Sequence, residues 1–459
     1  MTICTLFEAA SIVKGTYSGS PSDRNLNITS VVVDSRKASR GSLFVALPGS
    51  RVDGASFIED AYKHNAVGAM VRKDMVSSIR ASISKVNVPL IVVDNPLLAL
   101  QQLASAHVSK FNNIVKIGVT GSCGKTTTKE MLYEILSTVG NTAKTPGNQN
   151  SDIGLPLSLF GISDESRFGV FEMGVDHVGE MDTMLGIYRP DIGILTNIGY
   201  SHLGKMGSMR AIVHEKSKMF HESIEKGFVS EQNAFKPYIE KTRNIELDAF
   251  GRESTSGIHS ITSQGMDGWL IAYKGLEIHL HAVGQHNLMN ALGAIGVAQS
   301  LHIEPEAIKS GLEHFMPVGG RSRIIDGAIT IIEDCYNASP DSTNSILDYM
   351  GSIPWNGSKR VVLGSMKELG QVSSKAHIEL GRKILTLQPE SVSLYGKETI
   401  STYDMLIQHG FDKPLFHTED YDDLQQRVLT ESRRGDLVLV KGSRSMAMEK
   451  LVPAIQSIA

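Results

Sequence analysis

The chain has 459 residues, 41% of them hydrophobic and 20% charged, which fits a soluble globular protein of two to four domains and not one core. Its 45 basic and 49 acidic residues leave a formal charge of -4, so no basic excess is present for a duplex nucleic-acid surface. No run reaches the roughly 18 apolar residues of a membrane span, residues 1–15 lack the basic start of a secretory signal, and Cys4, Cys123 and Cys335 are too few for a disulfide framework and suit a reducing cytoplasm.

Along the chain, residues 1–110 mix short β-rich runs (28–33 and 42–46) with a helical stretch over 58–64. The polar residues 109–113 read as a linker. A second block, 111–316, opens with the β-branched run 114–120, predicted as a buried strand. A glycine turn and a helix over Lys125–Ser137 follow, then strands at 169–173 and 191–196. That alternation argues for a mostly parallel, doubly wound sheet. Residues 234–280 are expected to add antiparallel strands, and helical periodicity returns at 287–301. The pattern breaks at 317–320. In the third block, 317–459, strands are predicted at 329–333, 360–363 and 437–440 and helices at 342–350 and 376–385, a second α/β unit of Rossmann-like size. The expected fold class is therefore α/β in three domains.

The strongest local signal is Thr120-Gly121-Ser122-Cys123-Gly124-Lys125-Thr126, between a predicted strand and a predicted helix. Glycines allow a tight turn around phosphate, and the helix start adds a favourable dipole. Lys125 can reach terminal phosphates and the Thr126 hydroxyl can bind Mg²⁺; Thr127 continues the threonine run. The first glycine of the longer Walker pattern is replaced by Val119, leaving a short Gly-x-x-Gly-Lys-Thr form. Cys123, at the helix start beside Lys125, is expected to be alkylation-sensitive and shielded by bound nucleotide, and fits an inert small loop residue equally well.

Three later residues are candidates for a metal site. Glu172 ends a predicted parallel strand, where a carboxylate faces the ligand crevice. It also fits a loop-capping carboxylate. His202 follows the next strand and fits a surface histidine equally well. Lys216 is indistinguishable by spacing from a solvated helix lysine. Mg²⁺ prefers oxygen ligands, so neither His202 nor Lys216 is selected by donor chemistry alone.

The string from Thr120 to Glu130 resembles the ATP loop of the Mur ligases, and further matches span nearly the whole chain. Asp34-Ser35-Arg36, 41–47 and Asp53-Gly54 resemble the family's UDP-binding domain. Thr145 to Asn150, with Asn148, resembles its muramoyl-peptide loop, and 284–291 its adenine-contacting segment. Gly320-Arg321 with 334–340, then 364–370 and 441–444, resembles its mobile third domain. The branch that fits best adds D-alanyl-D-alanine. Cys123 and Ser365 stand where the family more often has asparagine and aspartate.

The resemblance implies a UDP-binding domain over 1–110, a central ATPase domain over 111–316 and a Rossmann-like domain over 317–459. It implies an ATP-dependent amide ligase acting on UDP-N-acetylmuramoyl-tripeptide and D-alanyl-D-alanine, a cytoplasmic monomer of peptidoglycan precursor synthesis. Gly121, Ser122, Cys123, Gly124, Lys125, Thr126 and Thr127 would hold ATP, with Asn290 on the base and Arg321 and Asp334 from the third domain. Thr126, Glu172, His202 and Lys216 would hold Mg²⁺, Lys216 as a CO₂-derived carbamate. Ser35, Arg36, Thr145, Asn148 and Asn150 would bind the UDP-linked substrate. On their own residues, Arg321 also fits a solvated hinge arginine, Asp334 a turn cap, and Lys441 and Arg444 structural ion pairs. Alternatives are a Mur-type ligase with other substrates, such as a folylpolyglutamate or cyanophycin-type enzyme, a motor ATPase, and a non-catalytic binding protein.

Overall fold

The computed structural model describes residues 1–49, 51–82 and 88–458. The chain divides into two compact units. One comprises Met1–Gly118, Gly140–Gly174 and Gly179–Asp191; the other comprises Val119–Val139, Val175–Val178 and Ile192–Ala459.

In the first unit a five-stranded sheet runs in the order Thr16–Ser18, Leu90–Val93, Gly68–Arg72, Ser42–Val45, Ser30–Val32. All neighbours are parallel except the first pair. Side chains alternate between two buried faces. Leu43, Val45, Met70 and Ile91 enter one core, whereas Phe44, Ala69, Val71 and Leu90 enter the other. Burial on both faces explains why these strands read as continuous apolar runs. Helix Pro96–Val108 covers the first face with Ala99, Leu100 and Leu103. It starts cleanly because Asn95 Oδ1 accepts the Leu97 and Leu98 N–H groups and Pro96 occupies the first turn. Ile153, Leu157 and Phe160 pack on the same core, so the segment after Asn150 is anchored by apolar contact.

Strands Thr142–Lys144 and Phe168–Glu172 pair in parallel within this unit. Val115–Thr120 then carries the chain out of it into the second unit.

There, Ile192–Leu195, Lys226–Ser230 and Asp248–Phe250 are parallel neighbours. The loop helix Lys125–Ser137 has the predicted bounds. Helix Pro305–His314 lies against it through Gly311, where an added Cβ would sit 2.3 Å from Ile135 Cα. A separate antiparallel sheet joins Ile258–Ser263, Trp269–Tyr273 and Leu276–Leu280. The last sheet runs Arg323–Ile325, Thr330–Asp334, Leu437–Lys441, Lys359–Gly364, Ser391–Tyr395, Leu415–Thr418, antiparallel only at the first pair. Its two faces are also both buried, Ile332 and Leu439 on one, Ile331 and Val440 on the other. The final strand of the chain lies inside this sheet, beside Thr330–Asp334.

Two expectations need correction. The run 28–33 is not one strand: Asn27–Ile28 pairs with Cys4–Thr5, while Ser30–Val32 pairs with Ser42–Val45. Thr29, whose N–H donates to the Gly41 carbonyl, is the crossover. Residues 234–280 begin with a helix, Lys236–Arg243, not a strand. Pro237 sits in its first turn, Ile239 is buried, and Lys241 and Arg243 occupy its last turn. Asp248–Phe250 is parallel, so antiparallel pairing starts only at Ile258.

Gly311→Ala places a methyl against helix backbone that no rotamer change can clear. It should destabilise the protein by about 1–3 kcal/mol in chemical denaturation; an unchanged midpoint would contradict the packing described.

Candidate active site

The loop after Thr120 is fastened to the segment that follows Ile192–Leu195. Thr196 N–H donates to the Thr120 carbonyl at 2.9 Å, and Thr196 Oγ1 donates to the Cys123 carbonyl at 2.5 Å. Ser122 N–H donates to the Asn197 carbonyl at 3.0 Å, and Cys123 N–H to Asn197 Oδ1 at 2.7 Å. These two N–H groups are therefore held by Asn197. Helix Lys125–Ser137 starts directly after these residues and presents the positive end of its dipole there. Gly121 has φ +148° and Gly124 φ +81°. A Cβ would lie 1.9 Å from Thr196 Oγ1 at the first and 2.4 Å from Asn290 Oδ1 at the second. Only glycine permits both approaches. Lys125 Nζ donates to the Gly121 carbonyl at 2.9 Å, closing the loop on itself. Thr126 and Thr127 are buried.

His202 and Lys216 lie in the same unit as Lys125. His202 starts the short helix Leu203–Met206 with φ +60°, a strained value for a non-glycine residue. Its Nδ1 is 2.6 Å from Glu368 Oε2. Burial, then the charge of Lys125, push its imidazole below the ordinary range; Glu368 opposes this and Lys216 adds to it. Lys125, His202, Lys216 and Glu368 thus share one electrostatic neighbourhood. Lys216 is 1% exposed on helix Met209–Ser217, which overturns the solvated-lysine alternative.

In the first unit, Glu172 ends its strand with 1% exposure. Asn150 Nδ2 donates to Glu172 Oε1 at 2.5 Å, and Thr145 Oγ1 accepts the Glu172 N–H at 2.8 Å. Thr145, Asn150 and Glu172 are therefore one cluster. Asn148 is exposed beside it. In the five-stranded part of this unit, Asp34 caps the turn Ser35–Lys37. Ser35 is buried, whereas the Arg36 side chain is 82% exposed and paired with Asp34. The hydrogen bond from Arg36 holds the Asp34 carboxyl down at about 2.

From the third sheet, Arg321 stacks 3.7 Å above the Tyr336 ring. Asp334 and Lys441 are register partners at the ends of adjacent strands. Lys441 Nζ lies 2.6 Å from Asp334 Oδ2 in a buried ion pair and also donates to the Asn337 carbonyl. Arg444 pairs with Glu449. Asp334 Oδ1 accepts the Ser322 N–H at 2.9 Å. Asn290 lines a cavity of about 160 Å³ with Cys123, Gly124, Met289, His286 and Ser345. Among the described residues, the buried Asn290 Nδ2 has no hydrogen-bond partner.

Residues not anticipated from sequence join the loop to the third sheet. Asp341 Oδ2 accepts the Tyr200 N–H at 3.3 Å, and Cys123 Sγ is 3.3 Å from Ser339 Oγ. The Pro340–Ser352 helix starts with a Ser339/Ser342 capping box, a signal that places Asp341 in a first turn but not beside the loop.

The descriptions "Mur ligase family, catalytic domain", "Mur ligase middle domain" and "Mur ligase, glutamate ligase domain" match residues 27–108, 119–298 and 320–444. The UDP-N-acetylmuramoyl-tripeptide–D-alanyl-D-alanine ligase of Treponema pallidum is 36% identical over 93% of both chains. A crystal structure of MurF from Acinetobacter baumannii superposes with TM-score 0.85 at 28% identity, covering 99% of this chain and 98% of that one. The Thermotoga maritima MurF structure in complex with ADP gives 0.77 at 27% identity over 93% and 97%.

Gly121→Ala should weaken ATP binding more than tenfold with a native circular dichroism spectrum; unchanged affinity would sink the loop assignment. Cys4 is pushed up to about 11 by burial, and burial likewise raises Cys335. Cys123 alone of the three cysteines is not buried. Iodoacetamide at neutral pH should therefore label Cys123 first, and ATP should slow it; equal labelling rates with and without ATP would rule out shielding.

Proposed function

Because the chain belongs to the Mur ligase family, with its three-domain α/β architecture, we propose that it joins D-alanyl-D-alanine to UDP-N-acetylmuramoyl-tripeptide at the cost of ATP. The observation that carries this is the near full-length likeness to ligases of that name, together with the glycine loop closed by Lys125. The cytoplasm is the proposed location and a monomer the proposed state. Among the described residues no helix is long and apolar enough to cross a membrane. The proposed domains are 1–110 for the UDP moiety, 111–316 for ATP and 317–459 for nucleotide closure and D-alanyl-D-alanine.

Amide formation from a carboxylate needs an activated acyl group. The tripeptide carboxylate attacks the γ-phosphorus of ATP, giving an acyl phosphate and ADP. The D-alanyl-D-alanine amine then attacks the acyl carbon, loses a proton and displaces phosphate. Both steps bring anions or reactive groups together, so positioning and charge neutralisation dominate. Gly121 to Thr127 hold the triphosphate, and Lys125, released from the Gly121 carbonyl, offsets its charge. Asn290 takes the base through its unpartnered Nδ2. Arg321 adds a cation from the third domain, and Asp334 is assigned to the nucleotide side of that domain. Ser35 and Arg36 serve the UDP moiety; Thr145, Asn148 and Asn150 serve the muramoyl peptide.

The donor set tests whether Mg²⁺ fits. Thr126 and Glu172 offer oxygens. His202 and an unmodified Lys216 offer nitrogens, which suit Mg²⁺ poorly. Carbamylation by CO₂ would turn the buried Lys216 from a cation into an oxygen donor and relieve repulsion with Lys125 and His202. With that change Thr126 and Lys216, and separately Glu172, offer oxygens that suit a magnesium role, while His202 stays a nitrogen donor beside them. Bound Mg²⁺ would supply charge neutralisation on phosphate oxygens.

Purified protein should hydrolyse ATP only with both co-substrates present, and the product should carry the added dipeptide by mass spectrometry. Lys125→Ala should lower kcat roughly a hundred- to thousandfold. ATP turnover with neither substrate would favour the motor reading and overturn this one.

A further inference from the structure

The 160 Å³ cavity is bordered by Cys123 and Gly124 of the loop and by Met289 and His286 of helix Gln285–Ser300. The nucleotide reading puts phosphates at the loop, which leaves the base for the Met289, Asn290 and Ser345 side. What a base meets there depends on hydrogen positions, and a chain of four polar side chains constrains them.

His286 Nδ1 is 2.9 Å from Ser345 Oγ, and its Nε2 is 2.9 Å from Ser322 Oγ. Ser322 Oγ is 3.4 Å from Asp334 Oδ1, which also accepts the Ser322 N–H. Lys441 holds the other Asp334 oxygen at 2.6 Å. A carboxylate paired with an ammonium accepts and does not donate. The Ser322 hydroxyl therefore points its hydrogen at Asp334 and accepts from His286 Nε2–H. Burial lowers the His286 imidazole below its ordinary range, with Lys441 acting in the same direction and Asp334 against it, so the ring is neutral near pH 7 and carries one hydrogen. With that hydrogen on Nε2, Nδ1 must accept, and Ser345 must donate to it. The Ser345 hydroxyl thus has its single hydrogen committed and offers the cavity only lone pairs.

We propose that Ser345 is a specificity-determining residue of the nucleotide site, fixed as a hydrogen-bond acceptor by the relay through His286, Ser322 and Asp334, and that it selects a purine bearing an amino group at position 6. The inference rests on the nucleotide reading above. The unpartnered Asn290 Nδ2 supplies the complementary donor in the same cavity. An adenine edge carries an amino donor beside a ring-nitrogen acceptor and matches this pair. A 6-oxo purine puts an oxygen against the Ser345 lone pairs and leaves that contact repulsive. His286, Ser322 and Asp334 are positioning residues: they act through Ser345.

The test is equilibrium binding of ATP and of inosine triphosphate, which has oxygen in place of the 6-amino group, to the full chain. Wild type should prefer ATP by about tenfold or more, the scale of one lost hydrogen bond at an enclosed site. Ser345→Ala should weaken ATP about tenfold without weakening inosine triphosphate, and bring the ratio to one or below. Ser345→Thr, which keeps the hydroxyl, should retain the preference. His286→Phe should narrow the ratio by strengthening inosine triphosphate, because the freed Ser345 hydroxyl can rotate and donate. A Ser345→Ala protein that loses both nucleotides equally, or a wild type without preference, overturns the proposal while leaving the ligase reading intact. A wild type that binds neither nucleotide overturns both.

Discussion

The approach of Thr196 and Asn197 to the loop 121–124 is the constraint on which the candidate site depends. The Thr196 N–H and hydroxyl hold the Thr120 and Cys123 carbonyls, and Asn197 accepts the Ser122 and Cys123 N–H groups, so three residues of the loop are fixed. Such closeness leaves no room for a Cβ at Gly121, and Asn290 does the same at Gly124. The loop's shape is therefore set by a second strand's end and not by its own turn propensity. The helix Lys125–Ser137 begins directly after it, so the positive end of the helix dipole and the Lys125 ammonium are aimed by the same contacts.

A second device holds the third sheet's working edge. Asp334 and Lys441 end neighbouring strands and form a buried pair. A pair of this kind adds little stability over an apolar replacement, whereas losing one partner strands a buried charge and costs roughly 3–5 kcal/mol. Its value here is orientational. It fixes a carboxylate that accepts from Ser322, which in turn fixes His286 on a different element. The electrostatics of the third sheet are thus transmitted to the cavity beside the loop.

Charge also explains why Lys216 differs from an ordinary helix lysine. It is buried within the field that lowers His202, alongside Lys125. Cations in close quarters attract anions, and phosphates are the anions a ligase of this family handles. Glu368, which contacts His202, has φ +64°, so both partners of that contact hold strained backbones.

The sequence by itself determined the α/β alternation, the bounds of the helix after the loop, the loop's glycines and the strand-end positions of Glu172 and Asp334. Each is written in local spacing: period-two or continuous apolar runs, a glycine pair, a lysine before threonines. Tertiary structure decided the rest. Thr29 divides a run that reads as one strand, because its halves find different partners. Residues 236–243 form a helix where strands were expected, since one buried Ile239 on a short polar segment gives too weak a periodic signal. Asn197 takes the loop N–H groups, and Asp334 meets Lys441 across 107 residues, because strand order places their ends side by side. The Ser345–His286–Ser322 chain was illegible for the same reason: serines carry no spacing signature, and only packing of separate elements makes one hydroxyl's hydrogen depend on a distant carboxylate.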